Sequence, residues 1–122
     1  MDPQKTILVI EDDPHQQQLY EIILKRVGFN MIARAEASSG LQWLEQILPD
    51  LILLDIMLPG MSGIDMLNEI RSTQNGRDVP VIVVTAKTDI TFEDFDGYNI
   101  VDLLHKPLLP ALLIDAIDAA LP

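Results

Sequence analysis

The feature that most constrains the fold is a repeated pattern in which a short apolar run ends abruptly at a polar side chain and a helical stretch follows. Several of these runs are rich in β-branched residues, which is typical of strands buried on both faces of a parallel sheet. The sequence therefore predicts five β-strands, over Thr6–Ile10, Met31–Ala33, Leu51–Leu54, Val79–Val84 and Ile100–Leu104.

Between these runs, apolar residues recur three or four positions apart, which is the spacing of one helical face. The first helix is expected to run from Pro14 to a stop at Gly28, with an apolar face of Leu19, Ile22, Ile23 and Val27. Ser38 or Ser39 is predicted to cap a second helix, which carries Leu41, Leu44, Ile47 and Leu48. Ser62 is predicted to cap a third, with Ile64, Leu67 and Ile70 inward. Residues 87–99 favour only a short or irregular helix, and residues 109–120 form the last.

Strands that alternate with helices predict an α/β fold, a three-layer doubly wound sandwich whose five-stranded parallel sheet is flanked by five helices. The 122 residues, of which 48% are hydrophobic, fit one core, so we expect residues 1–122 to form a single domain. In such folds ligands bind beyond the carboxyl ends of the strands. The residues that follow the strands are therefore the candidates for function.

Composition excludes several functions. No apolar stretch approaches the roughly 18 residues that span a bilayer, and the N-terminus does not resemble a secretion signal, so we expect a cytoplasmic protein without membrane contact. The absence of cysteine removes disulfides and thiolate chemistry, and any metal must bind through oxygen. A formal net charge of −11 argues against direct nucleic-acid binding, although an acidic surface is also a common means of keeping a small domain in solution.

The strand ends carry a coherent set of polar residues. Glu11 and Asp12 follow the first strand, Asp55 the third, Thr85 the fourth and Lys106 the fifth. Carboxylates in one crevice repel each other unless a cation neutralises them, and an all-oxygen cluster suits Mg²⁺. A lysine and a hydroxyl complete a set able to handle a phosphoryl group, with a carboxylate as the nucleophile.

Four segments make a resemblance specific. Ile7–Pro14, Leu54–Gly63, Val84–Lys87 and His105–Pro107 resemble the response-regulator receiver domain of two-component systems, over nearly the whole chain. The resemblance implies the flavodoxin-like receiver topology, with Asp55 as the phosphorylated residue and Thr85 and Lys106 as its catalytic partners. It also implies a cation, Mg²⁺ or Mn²⁺, bound by Glu11, Asp12, Asp55 and the backbone carbonyl of Met57, with Asp13 as a weaker candidate ligand.

The same resemblance implies a signalling switch rather than a turnover enzyme. Its phosphoryl donor would be a phosphohistidine on a sensor histidine kinase or a histidine phosphotransfer protein, and its own slow hydrolysis would reset it. Phosphorylation would change the face formed by the fourth helix, the fifth strand and the last helix, where an unknown downstream protein or a covalently linked effector domain binds. A cis Lys106–Pro107 peptide bond is also implied.

Two departures from the family pattern concern the output. Leu103 occupies the switch position, where the family usually has Tyr or Phe, and leucine has no phenolic hydroxyl to move between the surface and the interior. The segment before Lys106 is about one residue shorter than usual, and we expect its helix to be short or mobile. From Thr88 onward Lys106 is the sole Lys or Arg among many acids, which favours a basic partner.

The same residues bear on three alternative functions. A haloacid-dehalogenase-like phosphatase would need a second aspartate where this chain has Met57, which cannot transfer a proton. A flavodoxin-like cofactor protein would need a phosphate-binding loop where Glu11–Asp13 would repel a phosphate. A degenerate receiver that acts only as a docking module is disfavoured by the complete site, but Leu103 keeps it open.

Overall fold

The computed structural model describes residues 4–121 of the chain. Within this range it contains five strands, four α-helices and one short 3₁₀ helix. In chain order these are β1 (Thr6–Ile10), α1 (Pro14–Arg26), β2 (Asn30–Arg34), α2 (Ala37–Gln46), β3 (Leu51–Asp55), α3 (Gly63–Ser72), β4 (Val81–Thr85), the 3₁₀ helix (Phe92–Phe95), β5 (Asp102–His105) and α4 (Pro110–Ala120).

The five strands form one parallel sheet in the order β2-β1-β3-β4-β5, so the predicted α/β sandwich is confirmed. Side chains alternate along each strand and so feed two separate cores. On one face, Leu8 and Leu54 pack with buried residues of α2 and α3. On the other face, Val9 and Leu53 pack with buried residues of α1 and α4.

The direction of winding reverses between β1 and β3, because β2 lies outside β1 and the later strands lie outside β3. A crevice forms beyond the strand ends at such a reversal. The residues after β1 and β3 therefore flank the place where this fold class binds ligands.

Several local predictions are confirmed. Helix α1 begins at Pro14, and Gly28 follows it with a φ of 92°, a left-handed conformation that favours glycine. The Ser62 hydroxyl accepts a 3.1 Å hydrogen bond from the Asp65 amide and so caps α3. The Lys106–Pro107 peptide bond is cis.

The predicted apolar faces of α1 and α2 were partly wrong. Helix α1 buries Tyr20, Ile23 and Leu24, whereas Ile22 and Val27 are exposed. The true face is rotated by about one residue, because the apolar body of Tyr20 packs inward with Leu24.

Helix α2 begins before the predicted serine caps. Its N-cap is Glu36, so Ser38 and Ser39 lie in the first turn, and the Ser39 hydroxyl donates to the Glu36 carbonyl at 3.0 Å. The helix ends at Gln46 because Ile47 adopts an extended conformation, which leaves Ile47 and Leu48 exposed.

The predicted fifth α-helix is absent from residues 4–121, where residues 88–99 contain only the 3₁₀ helix. A capping box between Thr91 and Asp94 closes it, and the left-handed residues Gly97 and Asn99 end the segment. The expectation of a short helix here is confirmed, and its mobility stays a prediction. Strands β4 and β5 each begin two residues later than predicted.

Candidate functional site

Strands β1 and β3 place two carboxylates side by side. Ile10 pairs with Leu54 in the parallel register, so Glu11 and Asp55, the next residues along each strand, enter the same crevice. Glu11 is 1% exposed and Asp55 is 5% exposed. Two carboxylates at this depth need a compensating cation, because burial alone strongly disfavours their charged forms.

Lys106 supplies a positive charge to both carboxylates. Its Nζ donates to Glu11 Oε1 at 2.7 Å and to Asp55 Oδ2 at 3.2 Å. The backbone aids this placement, since the Lys106 amide donates to the Thr85 carbonyl at 2.8 Å and fixes the residue beside the end of β4. One ammonium group thus bridges the ends of β1 and β3 from a position just after β5.

Backbone amides of the loops after β3 and β4 donate hydrogen bonds to Asp55 and Thr85. The Met57 amide donates to Asp55 Oδ1 at 2.9 Å, so each Asp55 carboxylate oxygen accepts one hydrogen bond. The Thr85 side chain is fully buried, and its hydroxyl oxygen accepts a 3.0 Å hydrogen bond from the Lys87 amide. The Thr85 hydroxyl proton is therefore available for another acceptor.

Asp13 lies at the N-terminus of α1, where it acts as a cap. Its side chain accepts a 2.9 Å hydrogen bond from the His15 amide, which is typical of an N-cap. Its own amide donates to Glu11 Oε2 at 3.3 Å, and the Gln17 side chain donates to the Glu11 carbonyl at 2.6 Å. These contacts orient Glu11, and Asp13 is not among the carboxylates that the crevice brings together.

Burial and the charges in the crevice together shift the pKa values of Glu11 and Lys106. Burial raises the pKa of Glu11 from 4.5 to about 7, because the Lys106 hydrogen bond only partly offsets the desolvation and the neighbouring Asp55 raises it further. For Lys106, burial lowers the pKa, but the hydrogen bond to Glu11 and the charges of both carboxylates outweigh it and raise the pKa overall. One lysine is therefore an incomplete counter-charge for this site.

The donor set fits a hard cation. Glu11, Asp12 and Asp55 each offer one carboxylate oxygen, and the three oxygens lie within 4.8 Å of one another. Asp12 is exposed, so the group opens to solvent on one side. Carboxylates of this number, open to water, match the preference of Mg²⁺ for a few carboxylates together with retained water.

Leu103, the position predicted to act as a switch, has an aliphatic side chain with no polar atom. Leu103 lies in β5, is partly buried and packs against the core on the α2/α3 face. Two residues further along β5, His105 contacts the carbonyl of Ile90 at 3.1 Å through Nε2 and so links β5 to the segment before the 3₁₀ helix.

Comparison with known proteins agrees with this architecture. The response regulator receiver domain family matches residues 7–118. The DNA-binding response regulator MtrA of Mycolicibacterium smegmatis is 36% identical over 118 residues, which cover 94% of this chain and 50% of MtrA. The probable C4-dicarboxylate response regulator DctR of Priestia megaterium is 39% identical over 105 residues, 84% of this chain and 45% of that protein.

A solved structure is similar over almost the whole chain. The receiver domain of the sensor histidine kinase PA1611 from Pseudomonas aeruginosa, crystallised with a magnesium ion in its active-site cleft, has a TM-score of 0.85 and 30% identity. The match covers 96% of this chain and 97% of that one.

The chain belongs to the response regulator receiver domain family. Its fold is that of a receiver domain of two-component response regulators. The chain spans about half the length of the curated relatives it matches first. In the part of the chain that the structure describes, none of the helices is both long and apolar enough to cross a membrane.

Sequence patterns did not reveal every contributor to the site. The Met57 and Lys87 amides and the Gln17 side chain all bond to site residues, yet backbone donors leave no mark in the sequence. Gln17 could have been suspected, because it lies in the first turn of α1 directly after the acidic loop.

Proposed function

We propose that the chain is a phosphoryl-accepting switch in which Asp55 takes up the phosphoryl group. The observation that carries the proposal is the convergence of Glu11, Asp55 and Lys106, linked by hydrogen bonds of 2.7 and 3.2 Å, beside the buried hydroxyl of Thr85. Structural ion pairs are common in proteins, but a buried carboxylate that shares its only lysine with a second carboxylate serves stability poorly.

The reaction is a phosphoryl transfer between a nitrogen and an oxygen. One carboxylate oxygen of Asp55 attacks the phosphorus of a phosphohistidine, the new O–P bond forms as the N–P bond breaks, and the imidazole leaves with the electron pair. The product is an acyl phosphate on Asp55. In a separate and slow step, water attacks the phosphorus of the acyl phosphate, the bond to Asp55 breaks, and the free carboxylate and inorganic phosphate are released.

Lys106 and Thr85 act on the transferred group. The Lys106 ammonium, already within 3.2 Å of Asp55, pairs with the phosphoryl oxygens as a point charge. The Thr85 hydroxyl, whose lone pair accepts from the Lys87 amide, directs its proton toward a phosphoryl oxygen. Asp55 is the nucleophile, and neither of the other groups forms a covalent bond.

We infer that Glu11, Asp12, Asp55 and the backbone carbonyl of Met57 hold Mg²⁺ or Mn²⁺. The three clustered carboxylate oxygens and the magnesium ion in the cleft of the related PA1611 receiver support this assignment. The cation supplies positive charge that neutralises the oxygens of the transferring group. The chain contributes the ligands, two of which, Glu11 and Asp55, also accept hydrogen bonds from Lys106.

The wider role follows from the family. The donor is a sensor histidine kinase or a histidine phosphotransfer protein, and residues 1–122 act as one cytoplasmic domain that accepts the phosphoryl group instead of turning over a substrate. A downstream protein or a covalently linked effector domain receives the signal through the surface around β5 and α4, without direct contact of this domain with nucleic acid or membrane.

The test is intact-protein mass spectrometry after incubation with acetyl phosphate and Mg²⁺. The native chain is expected to gain one phosphoryl group, and the gain should vanish with chelator or in Asp55→Asn. Asp118→Asn, which alters an exposed aspartate of α4, is the matched control and should behave as the native chain. No adduct in any sample would contradict the proposal and favour an unphosphorylated docking module.

A further inference from the structure

An apolar cavity of about 610 Å³ opens beside the phosphorylation site, between the loop after β3 and the segment that holds the 3₁₀ helix. Its apolar lining includes Met57, Leu58, Met61, Ile64, Ile90 and Phe95. The cavity is separate from the carboxylate crevice, because Glu11, Asp12 and Lys106 take no part in its lining.

The cavity exists because the chain leaves this part of α3 uncovered. The single 3₁₀ turn at Phe92–Phe95 is too short to lie along α3, so Met61 and Ile64 are only partly buried. Two large apolar side chains at the cavity or next to it are widely exposed, Met57 by 50% and Phe92 by 45%. Apolar surface that stays open to water in this way marks a binding site in many proteins.

The rim of the cavity on the 3₁₀ side is strongly acidic. Asp94 belongs to the lining, and Asp89, Glu93 and Asp96 are exposed beside it in sequence. Residues 88–104 contain neither lysine nor arginine, and Lys87 is the one basic residue of the lining. A negative rim around an apolar floor favours a ligand with the opposite charge and its own apolar face.

We infer that this cavity is a docking site for a cationic amphipathic helix of a partner protein. Apolar side chains from one face of such a helix occupy the floor between Met61 and Ile90, and its lysines or arginines face Asp94 and its acidic neighbours. This is the helix-in-groove mode of recognition, in which charge sets the orientation and apolar anchors supply the affinity.

The cavity is connected directly to the phosphorylation site, and this part of the inference rests on the proposed function. Met57 and Lys87 both line the cavity, and their amides donate to Asp55 Oδ1 and Thr85 Oγ1 at 2.9 and 3.0 Å. A phosphoryl group on Asp55 changes the acceptors available to both amides. Since coupling between two sites is reciprocal, phosphorylation changes the affinity of the helix and the helix changes the stability of the phosphorylated form.

The experiment follows the amide signals of the full ¹⁵N-labelled chain during titration with a synthetic helical peptide. The peptide has leucines on one face and lysines on the other, and a second peptide with glutamates in place of the lysines serves as its control. The lysine peptide is expected to shift signals of residues 56–64 and 87–95, and the glutamate peptide to shift none.

Two variants separate docking from general attraction to an acidic protein. Met61→Asp adds a negative charge but removes an apolar anchor, so docking predicts affinity weakened by about fivefold or more, whereas charge attraction alone predicts tighter binding. The double variant Asp89→Lys/Glu93→Lys should weaken peptide binding by about tenfold. The control double variant Glu45→Lys/Asp118→Lys has the same charge change at distant exposed positions and should weaken binding by less than about twofold.

The outcomes are distinct. Three results would each overturn the docking site. The first is a set of shifts spread over the acidic surface, and the second is tighter binding by Met61→Asp. The third is a change in the cavity signals with protein concentration alone, as expected for a second copy of the chain.

Coupling is tested by repeating the titration with Mg²⁺ and beryllofluoride, which mimics a phosphoryl group on a carboxylate. A changed affinity that is lost in Asp55→Asn supports coupling, and an unchanged affinity overturns it. Peptide binding to the unmodified chain does not depend on Asp55, so failure of the phosphorylation proposal would leave it intact.

Discussion

At the scale of single residues, the site is defined by a shortage of positive charge. Lys106 bonds to Glu11 and Asp55 together, and Asp12 adds a third carboxylate close by. Burial keeps water from screening these charges, so the crevice disfavours its own fully ionised state. A divalent cation relieves this repulsion, which links metal binding to the protonation of Glu11.

Glu11 is expected to impose a pH dependence on stability. Its pKa in the folded chain is about 7, above the ordinary value of 4.5, so the folded state keeps a proton that the unfolded chain has already lost. The contribution of Glu11 to the free energy of unfolding is therefore largest below about pH 4.5, decreases as the pH rises to about 7 and no longer changes above that pH. Without metal, the loss should reach roughly 2 to 3 kcal/mol.

Urea unfolding at pH 5 and pH 8 in the presence of chelator measures this effect. Glu11→Gln keeps an oxygen acceptor for Lys106 but cannot ionise, so the difference in stability between the two pH values should shrink by the amount that Glu11 contributes. An equal pH dependence in the native chain and in Glu11→Gln would show that Glu11 titrates normally.

Removal of the Lys106 charge should be costly where Glu11 is ionised. Lys106→Met leaves the buried carboxylates without their ammonium, and we expect unfolding at pH 8 to require about 3 kcal/mol less free energy. Mg²⁺ should restore part of this loss by binding the freed carboxylates of the folded state.

The matched control for that variant is Lys25→Met, which alters a lysine whose side chain is 80% exposed and lies 4.0 Å from Glu21. Its effect should stay within about 0.5 kcal/mol, since exposed ion pairs contribute little. Equal effects of the two substitutions, measured by urea unfolding, would mean that the Lys106 bridge does not stabilise the fold.

At the scale of elements, Arg71 compensates for the missing helix of residues 88–99. From the last turn of α3, its guanidinium donates to four carbonyls at 2.6 to 3.0 Å, those of Gly76, Val79, Tyr98 and Asn99. Burial lowers the pKa of Arg71, and the charge of Asp78 partly offsets this shift. The planar guanidinium thus joins α3, the loop before β4 and the end of the segment of residues 88–99.

Arg71→Lys should destabilise the chain by about 2 kcal/mol, because an ammonium cannot reach carbonyls on three sides at once. Hydrogen exchange should show the loss at the amides of residues 96–101, which are already expected to exchange faster than those of α3. Arg77→Lys changes an exposed arginine nearby and should alter neither quantity. Unchanged exchange in Arg71→Lys, or uniformly strong protection across residues 89–98 in the native chain, would contradict this account.

At the scale of the whole molecule, periodicity and strand ends were enough to predict the sheet and the residues that meet beyond it. Buried parallel strands have a clear signal, since both of their faces are apolar and polar residues mark where they end. The predictions that were wrong concern features set by contacts between elements. The inward turn of Tyr20 and the end of α2 at Gln46 depend on tertiary packing, which overrides local spacing.

The segment of residues 88–99 was the least predictable part, because its conformation also depends on contacts with another element. Its short 3₁₀ helix is closed by a local capping box, and the carbonyls of Tyr98 and Asn99 that follow it accept hydrogen bonds from Arg71 of α3. Neither periodicity nor composition shows this contact between residues so far apart in sequence. The carboxylate crevice was easier to predict, because the parallel topology brings the carboxyl ends of the strands together whatever the conformation of the loops.

The most direct measurement of the central claim is chemical location of the acyl phosphate. After incubation with acetyl phosphate and Mg²⁺, borohydride reduction converts a phosphorylated aspartate into homoserine, and peptide mass spectrometry identifies its position. We expect homoserine at position 55 alone, with none when Mg²⁺ is chelated. Homoserine at Asp12, or at no position despite a phosphorylated control receiver, would contradict the assignment of Asp55 as the phosphoryl acceptor.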